Sequence, residues 1–219
     1  MSLRKTLVFF SACDCFAAVA CFMNRYSLKQ TVAPAIEPVT LDEAKAHLRV
    51  DTDDENAYIT SLIAASRHMV EAYTQRQLIT ATFTAKFDDF PTGTASLPVP
   101  RTPLGSVSSV TYVDYNGVTQ TLSSAIYEVI SDDTEAYVVL KPSQVWPTVQ
   151  SLKRQAVTVT FTAGYGNATT DVPEAARSAI LMLVGNLFEN REAVATGTIA
   201  VKVPFALEAL LDSVSVQTV

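Results

Sequence analysis

The spacing of apolar and polar positions changes twice along the chain. Apolar side chains recur at helical spacing between residues 54 and 75, then alternate with threonines at 82–87 and again at 157–162. Helical spacing returns after residue 172. A period of 3.6 residues predicts amphipathic helices, and a period of two predicts half-buried strands. The pattern therefore predicts an α+β fold, in which an N-terminal helix pair is followed by an inserted antiparallel β region and a long C-terminal helix.

Three helices are predicted, at about residues 40–50, 54–75 and 172–191. Thr40 and Glu43 have the spacing of a capping box, in which each side chain accepts a hydrogen bond from the other residue's backbone N–H. The acidic stretch from Asp51 to Glu55 lacks the central Gly and the distal Glu of a calcium loop, so we interpret it as the N-cap of the second helix. Asp171 is expected to cap the third helix, with Pro173 in its first turn.

The β insertion is predicted to cover about residues 78–163, in about six strands. Asn116-Gly117 separates two apolar runs, which indicates a hairpin with a primed turn. Segments 127–130 and 137–140 flank an acidic turn and predict a second strand pair. The Leu97–Pro100 segment is typical of a sheet edge, because proline cannot donate a hydrogen bond into a ladder.

These elements divide the chain into an N-terminal extension at 1–36, a domain at 37–195 and a C-terminal tail at 196–219. The start of the extension has features of a signal peptide: Arg4 and Lys5 precede an apolar run, and Ala18–Cys21 loosely resembles a lipoprotein cleavage box. Asp14 interrupts that run, and it is too short to span a bilayer. We therefore expect a non-cleaved or upstream-start extension, and no membrane partner. An exported or lipid-anchored bacterial envelope protein is the alternative.

Charge limits the partners of this protein. The 219 residues carry a net charge of −6, and residues 1–30 hold four basic residues against one acidic residue. The rest of the chain therefore has 12 basic and 21 acidic residues, a net charge of −9. Sequence-specific binding to nucleic acid needs a basic footprint, which this acidic body lacks. A surface of this charge repels DNA that comes close to it.

The sequence offers no catalytic residue set, no cofactor site and no metal site. Its three cysteines all lie in the first tenth of the chain, and its two histidines, His47 and His68, have no partner at ligand spacing. A phosphate loop ending in Lys-Ser/Thr, a His-Glu-x-x-His helix and a Gly-x-Ser-x-Gly elbow are all missing. Gly164-Tyr-Gly166 lies between a strand and a helix but lacks the lysine, so it is interpreted as a turn. The protein is therefore predicted not to be an enzyme.

Several short motifs follow one another in a fixed order. They are Pro38–Asp51 (PVTLDEAKAHLRVD), Leu62–Arg67 (LIAASR), Val70–Arg76 (VEAYTQR), Val110–Asp114 (VTYVD), Asn116-Gly117, Phe161–Gly166 (FTAGYG), Val172-Pro173 and Glu189–Glu192 (ENRE). In this order and spacing they resemble the head–tail connector (adaptor) proteins of long-tailed bacteriophages and prophages. The resemblance covers roughly residues 37–212.

The resemblance implies a structural role in the virion neck, after assembly in the host cytoplasm. Connectors of this family form a ring, here expected to be dodecameric, beneath the portal protein. The ring extends the DNA channel and receives a stopper or tail-completion protein below. DNA is expected to pass through the lumen without sequence-specific binding, and no cofactor is implied.

Two groups of residues are candidates for assembly contacts. The tail contains an apolar set that is unusual for a short free end: Phe205, Leu207, Leu210 and Leu211. Such residues either fold back on the core or dock on another chain, and the resemblance favours docking on the portal. Arg191 and Glu192 are candidates for ion pairs between subunits. A solvated helix end is an equal alternative for them, because exposed ion pairs contribute little.

Overall fold

A computed structural model describes residues 26–93, 95–150, 153–191 and 205–216. Within these ranges the helices are α1 (Leu41–Leu48), α2 (Asn56–Thr74), α3 (Glu174–Glu189) and α4 (Phe205–Val214). The strands are β1 (Tyr26–Val32), β2 (Ala81–Phe87), β3 (Leu97–Pro98), β4 (Leu104–Val113), β5 (Thr119–Thr121), β6 (Tyr127–Ser131), β7 (Ala136–Leu140) and β8 (Val157–Ala163). The predicted α+β fold, with the β region inserted between the second and third helices, is confirmed.

The helices form one layer with a core of its own. Ile59, Ile63 and Val70 on α2 face Ile180 and Val184 on α3, and all five are buried. They recur at three- and four-residue spacing, so they lie along one face of each helix. The tail helix α4 packs against α2 and α3 and completes this layer.

One of the predicted helix caps is confirmed. The Thr40 hydroxyl accepts from the Glu43 N–H at 3.2 Å, and the Glu43 carboxylate accepts from the Thr40 N–H at 2.8 Å. This reciprocal pair satisfies two backbone donors that the first turn of a helix leaves free.

The other two predicted caps are wrong. Helix α2 begins after Glu55, which makes no side-chain cap bond. The Asp53 carboxylate accepts instead from the side chain of Lys45 at 2.7 Å and from that of Asn56 at 3.0 Å. Asp171 accepts from the Ala168 N–H at 2.9 Å and so closes a short 3₁₀ turn ahead of α3. In each case the carboxylate accepts from other donors and not from a backbone N–H of the helix that it was predicted to cap.

The strands form two antiparallel sheets. One has the order β1-β2-β8-β4-β5 and the other the order β3-β7-β6. Both predicted strand pairs, β4 with β5 and β6 with β7, are confirmed. Aromatic and β-branched side chains between the sheets form a second core, in which Phe83, Phe87, Val138, Val159 and Phe161 are buried. The predicted edge segment also appears, as the outermost strand of the smaller sheet.

The hairpin turn between β4 and β5 differs from the predicted primed turn. The Gly117 N–H donates to the Asp114 carbonyl at 2.9 Å, which makes Tyr115 and Asn116 the central residues. Gly117 has a φ of 82°, but neither central residue has a positive φ, and a type I′ turn requires it at both. The Asp114 carboxylate accepts from the N–H groups of Asn116 and Val118, both at 2.9 Å. These bonds favour an ordinary turn followed by a glycine.

Strand β1 lies in the stretch that the sequence analysis assigned to an N-terminal extension. It pairs with β2 from Tyr26↔Phe87 to Val32↔Thr82, with an irregularity between Gln30 and Val32. Its side chains are exposed except for half-buried Leu28. Residues 26–32 therefore form the edge strand of the larger sheet.

Candidate assembly surfaces

A buried polar cluster joins the helical layer to the sheets. The Arg67 guanidinium donates to Glu71, one turn further along α2, at 3.0 Å, and to Glu37 at 2.7 Å. Glu71 also accepts from the Gln77 side chain at 2.7 Å and from the Leu78 N–H at 3.3 Å. Gln77 and Leu78 belong to the link between α2 and β2. The cluster therefore fixes the direction in which the chain leaves the helix.

Burial and ion pairing shift the pKa values of Glu71 and Arg67 in opposite directions. Burial raises the pKa of the Glu71 carboxyl, and the charge of Arg67 opposes that rise. Burial lowers the pKa of Arg67, but its bonds to Glu37 and its attraction to Glu71 outweigh that effect and raise it. Three donors, Arg67, Gln77 and the Leu78 N–H, surround the Glu71 oxygens and favour the ionised form of the carboxyl. A pair of this kind is a rigid joint rather than a catalytic group.

The apolar tail residues lie on α4, which packs against helices of its own chain. Leu207 and Leu211 are buried in the helical core, and Leu210 is half-buried against it. The side chain of Phe205 lies outside the described residues. Of the two options for this tail, the structure places Leu207 and Leu211 against their own core. Docking on a portal stays a prediction.

Two hydrogen bonds hold α4 against the end of α2. The Tyr73 hydroxyl donates to the Asp212 carboxylate at 2.8 Å, and the Val216 N–H donates to the Thr74 carbonyl at 3.1 Å. The bond to Asp212 raises the pKa of the Tyr73 hydroxyl, because it stabilises the protonated form. The tail is therefore attached to α2, the helix that carries Arg67 and Glu71 of the buried polar cluster.

Arg191, at the end of α3, contacts residues of its own chain. It forms an ion pair with Glu55, which raises the pKa of the guanidinium. Its guanidinium carbon lies 4.8 Å from the centre of the Tyr58 ring and 5.0 Å from that of Phe188. Cations over aromatic faces are attracted by the ring quadrupole. The predicted intersubunit role of Arg191 is untested, and Glu192 lies outside the described residues.

Two exposed strands end the two sheets. Strand β1 is the outer strand of the larger sheet, where Tyr26 is 49% and Val32 58% exposed. Strand β6 is the outer strand of the smaller sheet, where Val129 is 39% and Ile130 53% exposed. Within the described parts of the chain, no strand pairs with the outer side of either. Each edge presents unpaired backbone N–H and C=O groups that can accept another strand.

The cleft beside β1 also touches the smaller sheet. Tyr26 of β1 lines a cleft of about 300 Å³ together with Pro98 of β3 and with Thr134 and Glu135 of the turn between β6 and β7. Strand β6 follows β5 through a short link, whose Leu122 N–H donates to the Val110 carbonyl of β4 at 2.8 Å. The turn that follows β6 therefore lies close to the start of β1.

Features that would indicate chemistry are scarce in the described residues. They contain no group of three or more His, Cys, Asp or Glu side chains that could hold a metal ion. An open cleft of about 580 Å³ between Asp88, Asp89, Gln150, Lys153 and Arg154 contains one weak ion pair, Arg154 to Asp88 at 3.8 Å. His47 and His68 are exposed on helices. In the same ranges, no helix is long and apolar enough to cross a bilayer.

The family comparison agrees with the sequence motifs. Residues 38–143 match the family described as phage gp6-like head–tail connector protein. Among curated protein sequences, none matches the chain. The resemblance to head–tail connectors is therefore confirmed over the two N-terminal helices and most of the β region.

Solved structures share the fold over nearly the whole chain. A chain from the "virion of native gene transfer agent (GTA) particle" matches with a TM-score of 0.72 at 22% identity, covering 88% of this chain and 96% of that one. A chain from the "neck of empty GTA particle computed with C6 symmetry" matches with a TM-score of 0.72 at 23% identity, covering 88% and 97%. A chain from the "neck of native GTA particle computed with C12 symmetry" has a TM-score of 0.65 at 22% identity, again covering 88% and 97%.

Strand β1 and the buried polar cluster were not predicted from the sequence. The alternation of Tyr26, Leu28 and Val32 with polar residues is a strand signal, and it could have identified β1. The buried cluster had a weaker signal, since Arg67 and Glu71 are four residues apart and hence on one face of α2. Its contacts with Glu37 and Gln77 depend on the tertiary fold.

Proposed function

We propose that this protein is a structural connector subunit of a tailed-phage or phage-like particle. It forms a ring, of about twelve copies, between the portal and a stopper or tail component, and the ring extends the DNA channel. The observation that carries the proposal is the match of residues 38–143 to head–tail connectors. The shared fold with chains of a virion and its neck supports the same location, and one of those necks was computed with C12 symmetry.

The surface chemistry is consistent with a channel wall. The described ranges carry exposed acidic stretches at Asp51–Asp54 and Asp132–Glu135. Carboxylates in a lumen repel the phosphate backbone and so let DNA slide. The proposal places a share of these residues on the inner surface of the ring.

Mass measurement by light scattering tests the proposal. The purified chain is measured alone and then mixed with the portal of the same genome. We expect a ring-sized species, or a shift of the portal peak by the mass of about twelve subunits. A monomer that leaves the portal peak unchanged at every concentration contradicts the connector role.

We further infer that α4 is the segment that docks on the portal. Leu207 and Leu211 cannot be buried in their own helical core and in a partner at the same time. Docking through these leucines and Leu210 therefore requires α4 to leave α2 and α3. Among the described side chains of α4, three are buried against the helical core: Leu207, Leu211 and Val214.

A disulfide that holds α4 against α2 tests whether α4 must leave the helical core to bind the portal. Thr74 and Val216, whose backbones share a hydrogen bond, are changed to cysteine in a chain whose Cys13, Cys15 and Cys21 are serine. We expect the oxidised chain to lose the portal shift and the reduced chain to keep it. The matched control is the single Val216→Cys variant. Equal binding by the oxidised and reduced forms contradicts docking by release of α4.

A further inference from the structure

The outer faces of the two sheets differ in chemistry and lie on opposite sides of the core between the sheets. We propose that, in the ring, the outer face of the smaller sheet of one copy packs against the outer face of the larger sheet of the next copy. The partner is therefore a second copy of this chain, bound face to face through side chains. This inference rests on the ring proposed above and names the surfaces that close it.

The larger sheet turns hydroxyl side chains and two lysines outward. Its buried aromatic and aliphatic residues point into the core between the sheets, so the residues that alternate with them point outward. Where β1 pairs with β2, Lys29 lies opposite Thr84 and Lys86 lies opposite Ser27. None of the five strands contains an Asp or Glu. The outward set continues across β2, β8 and β4 with Thr82, Thr158, Thr160, Ser109 and Thr111.

The smaller sheet turns apolar side chains and one carboxylate outward. Alternate residues of β7 are buried in the core between the sheets, so Tyr137 and Val139 point outward. Residues directly opposite each other in a ladder point to the same face, which places Pro98 and Ile130 beside Tyr137 and places Glu128 beside Val139. No strand of this sheet contains a basic residue. Its outer face is therefore apolar and acidic.

Neither outer face is covered by the helices of the described chain. The helical core contains no residue of any strand. Lys29, Lys86 and Glu128 are exposed, and the outward threonines of β2 and β8 are only half-buried. Ile130 is 53% exposed. An exposed apolar patch with polar residues around it is typical of a surface that contacts another protein.

Charge favours contact between unlike faces. Two copies that met through their larger sheets would bring lysines together, and two copies that met through their smaller sheets would bring carboxylates together. Contact between unlike faces instead brings Glu128 of one copy toward Lys29 and Lys86 of the next, and opposite charges across an interface select the correct partner surface. The methyl groups of the outward threonines offer apolar contact to Ile130 and Tyr137.

The two faces also have the placement that a ring requires. A contact between two different surfaces is heterologous, and it closes into a ring when the rotation between copies is a fraction of a full turn. In a ring of many copies, each subunit presents its two contact surfaces on nearly opposite sides. The outer faces of two sheets that pack on each other point in opposite directions. The β region therefore supplies both contact surfaces.

Charge reversal tests the contact. Wild-type chain and the variants Lys29→Glu/Lys86→Glu and Glu128→Lys are each mixed with the portal of the same genome and measured by light scattering. We expect both variants to lose the ring-sized mass at concentrations where the wild type forms it, because each places like charges across the contact. The triple variant restores opposite charges and is expected to regain the mass, which a misfolded chain would not. The control, Lys153→Glu/Arg154→Glu, changes the net charge as much as Lys29→Glu/Lys86→Glu but outside both faces, and it is expected to assemble like the wild type.

Cross-linking identifies which faces meet. Thr84→Cys marks the larger sheet and Ile130→Cys marks the smaller sheet, in a chain whose Cys13, Cys15 and Cys21 are serine. After assembly on the portal, a flexible bismaleimide is expected to link the double variant into a ladder of multimers, because each copy then has a thiol on both contact surfaces. Either single variant is expected to stay unlinked, and an equal mixture of the two is expected to stop at dimers.

The outcomes separate this inference from the proposed function. If the wild type forms no ring and ignores the portal, the connector proposal fails. If the wild type forms a ring, the charge variants assemble equally well and the double-cysteine variant gives no ladder, the connector proposal stands and the face-to-face contact is wrong.

Discussion

At the scale of single residues, the buried carboxylate of Glu71 has the strongest structural role. It accepts from a guanidinium, an amide side chain and a backbone N–H. Without it, the Leu78 N–H would lose its acceptor, and Arg67 and Gln77 would each lose one of their acceptors. Leaving a buried donor or charge without a partner costs more than the bond itself contributes. The connection between the helical layer and the sheets therefore depends on one side chain.

Two substitutions at Glu71 distinguish loss of charge from loss of acceptors. Glu71→Leu removes both oxygens, so we expect the free energy of unfolding to fall by about 3–5 kcal/mol. Glu71→Gln keeps one acceptor oxygen but turns an NH2 group toward a donor that the other oxygen had accepted from. Because Arg67 keeps Glu37, we expect a smaller loss than for Glu71→Leu, about 1–3 kcal/mol. Urea denaturation at neutral pH measures both. Equal losses for the two variants would show that the acceptor bonds are unimportant.

At the scale of elements, the spacing of apolar residues predicted most of the helices and strands. It did not predict two of the helix caps or the packing of α4. The helices and the strands β2 and β8 bury one face, so their periods were visible in the sequence. The predicted caps from Asp51–Glu55 and Asp171 are wrong, because Lys45, Asn56 and Ala168 bond to the oxygens of Asp53 and Asp171 and only the folded backbone brings these donors close. The sequence also did not decide what α4 packs against. The apolar pattern of Leu207 and Leu211 is the same whether they contact their own core or another chain.

The cap of α1 gives this element a pH dependence. The Thr40 backbone N–H, with help from Arg177, holds the pKa of Glu43 below its ordinary value of about 4.3. The ionised carboxylate therefore stabilises the fold above about pH 4.3, and this contribution is lost as pH falls through the lowered pKa. We expect Glu43→Gln to reduce stability at about pH 6 and to have a smaller effect at about pH 3. Thermal unfolding at several pH values measures this difference, with exposed Glu189→Gln as the control. A constant difference across the range contradicts the assignment.

The turn that leaves β8 depends on a glycine. Gly164 has a φ of 141°, and a Cβ there would lie 2.5 Å from the Thr80 backbone nitrogen. Gly164→Ala is therefore expected to combine backbone strain of about 1–3 kcal/mol with a clash of about 1–3 kcal/mol. Gly93→Ala is the control, because its φ is 64° but its Cβ would meet nothing within 4 Å. We expect about 1 kcal/mol there. Chemical denaturation compares the two, and similar losses would show that the close approach to Thr80 relaxes easily.

At the scale of the whole molecule, the subunit combines a rigid body with a separable tail. The helical core and the core between the sheets each contain many buried side chains, and the polar cluster around Glu71 connects the two. We therefore expect them to open together. Among the described side chains of α4, three are buried, and two hydrogen bonds, from Tyr73 to Asp212 and from the Val216 N–H to Thr74, connect the segment 205–216 to α2. The proposed docking of α4 on a portal is compatible with this division, because the body would keep its shape while the tail changed partners.

This division predicts a gradient of hydrogen exchange. Segments with few buried contacts open locally, at a lower free energy than the global unfolding of the core. In the free subunit we expect the amides of α4 to exchange faster than those in the middle of α2, near Ile63. After binding to the portal, the same α4 amides are expected to slow, because a larger apolar surface covers Leu207 and Leu211. Exchange followed by mass spectrometry on the free chain and on the portal complex measures both effects. If α4 exchanged as slowly as α2 in the free chain, it would open only with the whole fold, and the portal could then bind no more than its outer face.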